Sequence, residues 1–113
     1  MAYKDESVSF RFLTLSPEEL DVLRDFCPDV TSRPARGREG RVTGIFDLRE
    51  GEDYGWIKDF IKTHSIATTE HGLFVSISTS SDSDIVRVPQ FAVELIREVG
   101  GVIDFSFTVL ADD

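Results

Sequence analysis

Arg33, Arg36, Arg38 and Arg41 fall within one short stretch, Thr31 to Arg41, and are the strongest local departure in the sequence. The stretch also holds Pro34, Gly37 and Gly40 and offers nothing to bury, so it reads as a loop. Four arginines and Glu39 give it a charge of +3 in a chain whose net charge is −9. A guanidinium is a planar fork that meets phosphate or carboxylate through two hydrogen bonds at once. The four arginines are therefore a candidate anion-binding set. The competing reading is a solvated loop partly neutralised by the acids of its own protein.

The other reactive residue types do not assemble. Nucleophilic catalysis requires an activated nucleophile with a base in reach, and Cys27 could pair only with His64 or His71. Cys27 lies on an apolar helical stripe, where cysteine is ordinarily inert packing. The two histidines are seven residues apart, one past a helix end and one at a strand entrance, and no second cysteine or His-x-x-x-His spacing supports zinc. Surface or helix-end positions are expected for both. Asp82 and Asp84 with their serines resemble a calcium loop faintly, but lack its central Gly and distal Glu. Gly37-Arg38-Glu39-Gly40 has no Lys-Ser or Lys-Thr pair and no helix directly behind it, so it is no phosphate cradle. Glu18-Glu19 and Glu52-Asp53 stand at helix starts, where carboxylates favour the dipole. No catalytic residue, no metal and no cofactor is expected, and the chain does not read as an enzyme.

A second candidate surface lies at Glu50, Glu52, Asp53 and Tyr54, next to Trp56. Aromatics flanked by acids suit an interface for a basic partner. Trp56 itself fits a core position better.

The elements that must position these residues are legible from periodicity. Val8 to Phe12 alternates like a half-buried strand. Ser16-Pro17-Glu18-Glu19 opens a helix with a capping box, Leu20, Leu23 and Cys27 form its stripe with Phe26 widening it, and Pro28 stops it. Val42 to Leu48 reads as a strand with Phe46 and Leu48 inward. Asp53 caps a second helix bearing Trp56 or Ile57, then Phe60, Ile61 and His64. Leu73 to Thr79 is a strand, Ser80 to Asp84 a polar turn, and Ile85 to Val88 a short strand. Pro89 opens a third helix that ends at Gly100-Gly101. The last strand, Val102 to Leu110, sets Ile103, Phe105, Phe107 and Val109 on one face.

The order is β-α-β-α-β-β-α-β. Alternating strands favour a mixed or antiparallel sheet with its helices on one face, hence an α+β class. Phe10, Phe12, Phe46, Val75, Ile77, Phe105 and Phe107 are the expected core side of that sheet. Residues 8–48 and 72–110 repeat the same element order, which suggests a ferredoxin-like or duplicated split plan.

The chain's 113 residues suit one domain, 1–113, with an ordinary core. Charge −9 argues against nucleic acid and anionic membranes as partners. A single cysteine and a first six residues without an apolar run lead to a cytoplasmic expectation.

The sequence resembles a group of small bacterial proteins of uncharacterised function, some encoded near toxin genes. The resemblance rests on Phe10-x-Phe12, Ser16-Pro17-Glu18-Glu19-Leu20, Pro28, Thr31 and the Arg/Gly loop, and Thr43-Gly44-x-Phe46. It continues through Pro89, Glu94-Leu95-Ile96 and Val99-Gly100-Gly101-x-Ile103-Asp104-Phe105. At Thr43-Gly44-x-Phe46 the group more often shows an aromatic strand ending, and it carries no catalytic motif to transfer. The resemblance implies a cytosolic binding protein, with toxin immunity as one role. The expected function is thus non-catalytic binding, as an immunity-type inhibitor of a basic toxin. The alternative is a small homodimeric module that takes an anionic ligand on the arginine loop.

Overall fold

A computed structural model describes residues 4–80 and 87–109. In chain order the elements are β1 (Lys4–Leu15), α1 (Pro17–Phe26), β2 (Thr31–Pro34), β3 (Val42–Asp47) and α2 (Gly55–Thr63). A 3-10 turn (Thr68–Glu70), β4 (His71–Thr79), α3 (Gln90–Val99) and β5 (Val102–Val109) follow among the described residues. The five strands form one mixed sheet in the order β2-β3-β1-β4-β5. β1 pairs antiparallel with both β3 and β4, and β4 pairs parallel with β5. The class is α+β, and the element order follows the sequence expectation closely.

Two differences bear on function. Thr31–Pro34, expected as loop, is the edge strand β2, paired antiparallel with β3. The turn Ser81–Asp84 and the residues Ile85 and Val86 of the expected short strand lie outside the described residues, and Arg87 and Val88 belong to no strand.

Register explains the core. Phe10 pairs with Phe46 on one side and Leu73 on the other, so these three side chains share a face. Leu20 and Leu23 of α1, Ile57 and Phe60 of α2, and Ala92 and Leu95 of α3 join them in one apolar cluster. The Phe10, Phe12 and Phe46 rings pack at centroid separations of 5.1 to 6.4 Å. The start of α1 is built as its sequence dictates: the Ser16 Oγ accepts from the Glu19 amide, and the Glu19 carboxylate accepts from the Ser16 amide. Asp53, expected to cap α2, stands one residue before the N-cap Tyr54, which makes no side-chain capping bond; Asp53 accepts instead from the Gly55 amide at 2.8 Å, a local turn contact. Gly100 and Gly101 have φ of +71° and +121°, a turn open to glycine and strained for other residues.

The helical layer stops one strand short of the sheet edge. Ile103, Phe105 and Phe107 pair with Leu73, Val75 and Ile77 and so face the same side. The β4 residues are buried, whereas Phe105 is 60% exposed and Phe107 43%. The core positions assigned to Phe105 and Phe107 from alternation are therefore corrected: alternation fixes which face a side chain takes, but not whether a helix covers it. No helix among the described residues is long and apolar enough to cross a membrane.

Candidate functional site

A register shift in β1 between Phe12 and Leu15 turns Leu13 and Thr14 out of the regular ladder. Thr43 of β3 donates from its hydroxyl to the Leu13 carbonyl at 2.8 Å, holding this bulge against the sheet. On one side of the bulge, β2 and β3 are joined by a turn that closes through Ala35 N to Arg41 O at 3.0 Å, with Arg41 N donating to Arg38 O at 3.2 Å. Gly37 and Gly40 have φ of +70° and +75°, which this compact turn requires. On the other side stands the 3-10 turn, from which Thr69 and Glu70 project.

Between them is a hollow of about 360 Å³, walled by Arg33, Arg36 and Arg38 together with Thr43, Thr69 and Glu70. Thr14 donates to a Glu70 carboxylate oxygen at 2.7 Å, and Arg38 approaches the other oxygen at 3.6 Å. Glu70 is thereby fixed from two directions. Arg33 and Arg36 form no ion pair among the described residues.

Arg41, the fourth arginine of the sequence reading, is placed elsewhere. It faces a neighbouring hollow of about 330 Å³ and lies 3.5 Å from Glu19, whose second oxygen is 3.6 Å from His64 Nδ1. Arg41 therefore braces the turn against the capped start of α1. The structure brings Arg33, Arg36 and Arg38 to one cavity and gives Arg41 a separate partner.

On the outer face of the sheet, the Arg11 guanidinium lies 3.6 Å from the Phe74 ring centroid. Burial and then the charge of nearby Arg33 hold it below the usual arginine range, while Asp104 opposes them.

The acidic candidates divide. Glu52 and Tyr54 line a shallow hollow of about 200 Å³ with Glu94 and Glu98 of α3, and Glu50 lies in another, of about 350 Å³, with Arg49 and Arg87. The Tyr54 hydroxyl accepts from the Arg49 amide at 2.7 Å and donates to Glu52 at 3.3 Å. Its pKa is raised, first by burial and then by the adjacent Glu52 charge, against the lowering effect of the Arg49 amide. Trp56 is half-buried and stacks on exposed Phe26 with centroids 5.2 Å apart.

Cys27 is half-buried at the end of α1, and burial raises its thiol pKa. Its electrostatic neighbours are Asp29 and Glu52, with no histidine among them. His64 packs at 4.5 Å on the Phe60 ring. His71 overturns the surface expectation: it is fully buried, stacked on Phe10 at 5.8 Å, and neither ring nitrogen has a hydrogen-bond partner. Burial lowers its pKa. Among the described residues no group of three or more His, Cys, Asp or Glu could hold a metal ion.

Threonines 14, 43 and 69 and Glu70 escaped the sequence reading, because they come from three separate elements and carry no motif. The bulge that places Thr14 has no signature in residue types. Comparison of the chain with family models, with curated proteins and with solved structures found no significant match.

Proposed function

We propose that the chain is a non-catalytic binding protein that receives an extended segment of a basic protein partner along the edge of β5, as an immunity-type inhibitor would. The observation that carries this reading is the exposed row Ile103, Phe105, Phe107 and Val109 on a terminal strand of the sheet. A partner strand added there gains main-chain hydrogen bonds, and alternate apolar side chains give the contact its selectivity.

The two sheet edges differ in a way that supports this. β2 is four residues long, carries Arg33 and ends on Pro34, which are devices that discourage strand addition. β5 is eight residues long with one charged residue, Asp104, and no proline. An uninterrupted apolar row of this kind on a soluble surface marks an interaction site. Charge −9 favours a basic partner over a second copy of the chain, since like charges slow encounter and opposite charges speed it. The resemblance to a group of small bacterial proteins, some of them encoded near toxin genes, agrees with toxin neutralisation as the biological role.

The test is a paired capture from the native cell, with the wild-type chain and a Phe105→Ser, Phe107→Ser variant as baits. The expected result is a basic protein retained by the wild type and lost from the variant, with hydrogen exchange slowed along β5 in the purified complex. Equal retention by both baits would reject this edge as the interface. Sedimentation of the purified chain covers the competing case. A dimer that the two substitutions dissolve would assign the edge to a second copy.

A further inference from the structure

The hollow between the β2–β3 turn, the β1 bulge and the 3-10 turn has no role in strand addition at β5, and its chemistry is specific. We infer that it is a binding site for a phosphate monoester dianion, held by Arg33, Arg36 and Arg38.

Charge is the first argument. Three arginines less Glu70 leave two positive charges in a cavity of about 360 Å³. The protein carries 21 acidic residues against 12 basic ones, so partners for arginine are plentiful. It nevertheless pairs Arg41 with Glu19 and Arg38 with Glu70, while Arg33 and Arg36 stay unpaired among the described residues. A dianion neutralises the remainder.

Geometry narrows the class. The three arginines come from different points of the chain, one from strand β2 and two from the turn, and line one hollow. A carboxylate has two oxygens in one plane and is satisfied by one or two forks. A phosphate monoester has three terminal oxygens directed apart, which suits three forks. Thr69 adds a hydroxyl that is uncommitted among the described residues, whereas the hydroxyls of Thr14 and Thr43 already donate to Glu70 and Leu13. Glu70 is braced as an acceptor at the cavity wall, in place to take a hydrogen bond from a hydroxyl or N–H of the ligand's organic part. The cavity is at the small end of ligand sites, which run from roughly 300 to 1,000 Å³. That leaves room for the phosphoryl group and a small substituent, either a polyol or a phosphorylated side chain.

The experiment titrates the full chain with glycerol 3-phosphate, a short phosphoserine peptide and inorganic phosphate, read by amide chemical shifts, with sulfate and acetate as comparators. Saturable shifts at Arg33, Arg36, Thr69 and Glu70 are expected for the three phosphate probes, and weaker binding for acetate. Tighter binding of the peptide over glycerol 3-phosphate would identify a phosphorylated protein as the source, and the reverse order a free metabolite. Phosphate monoesters lose their second charge near pH ~6, so their affinity falls between about pH 7.5 and pH 5 while that of sulfate does not. Sulfate keeps its charge over this range and serves as the control, so a fall seen for the monoesters alone reports on the ligand. Arg33→Ala with Arg36→Ala weakens binding by roughly tenfold or more, the value of a lost charge-assisted pair. Arg41→Ala leaves the affinity essentially unchanged. Thermal melts confirm folding of each variant. Absence of saturable shifts, equal affinity for acetate, or insensitivity to the Arg33/Arg36 pair would each overturn the assignment.

Discussion

Val75 and Phe105 are register partners in the parallel β4–β5 pair and point to the same side of the sheet, yet Val75 is 3% exposed and Phe105 60%. One strand spacing separates the protein's core from its largest open apolar row. Neighbouring strands lie only about 4.8 Å apart, so the boundary is set by how far the helical layer extends.

That boundary predicts a sharp contrast in stability. Phe12→Ala removes a fully buried ring and should cost about 3–5 kcal/mol, combining lost transfer energy with a residual cavity. Phe105→Ala and Phe107→Ala should each change the unfolding free energy by no more than about 0.5 kcal/mol. Urea titrations of the three variants measure the difference. A cost above about 2 kcal/mol at Phe105 would show that the row is covered in solution.

His71 gives a pH dependence with a definite sign. Its folded-state pKa is depressed by burial, so below the unfolded value of about 6.5 the unfolded chain binds more protons than the native one. Stability is therefore complete above that value and declines as the pH falls through it towards the folded pKa. His71→Leu removes this component and both unsatisfied ring nitrogens. Melts between about pH 5 and pH 7.5 should show a weaker acid decline in the variant than in the wild type.

Gly72 is required by the β4–β5 ladder. A Cβ at this position would collide with the Val102 carbonyl. Gly72→Ala should push β5 away from β4 and cost about 1–3 kcal/mol, the usual penalty of forced overpacking. Faster exchange of the β5 amides in that variant would localise the damage.

The acids before α2 separate by function. Asp53 accepts from the Gly55 amide just before α2, so Asp53→Ala should lower stability by about 0.5–1.5 kcal/mol, the net worth of one hydrogen bond. Glu52 is exposed, and its link to Arg49 is long at 4.0 Å. Glu52→Lys should leave the melting temperature nearly unchanged and slow association with a basic partner, most strongly at low salt. Stopped-flow rates across a salt series, beside thermal melts, check both halves.

The sequence carried the helix boundaries well, because capping chemistry is local: Ser16, Pro17 and Glu19 mark the start of α1, and Gly100 marks the end of α3. It also carried the facing of each strand, since Phe10, Phe46, Leu73 and Val75 keep strict alternation. The exposure of β5 was not legible, because Phe105 and Val75 follow the same pattern and differ only in what lies above them. β2 was hidden by its arginine-rich turn. His71 looked like a polar residue at a strand entrance, and only the packing of Phe10 and Phe12 against it reveals a core position. For the arginine cavity the cations were visible in the sequence. The threonines and Glu70 that complete it were not, because they meet only in three dimensions.

The central place of β1 has a consequence for the order in which the chain acquires its structure. β1, α1 and β3 are close in sequence and can assemble early, but the other side of β1 is paired only by β4, after a long excursion through α2. Closing so distant a contact is entropically expensive, so the final sheet should form slowly relative to helical proteins of this size. During synthesis, the intermediate lacking β4 carries a raw edge along β1 itself, with Val8, Phe10 and Phe12 beside it. Such an intermediate is open to strand exchange and aggregation. Arrival of β4 and then β5 moves the unpaired edge outward by two strands, from the centre of the core to its margin.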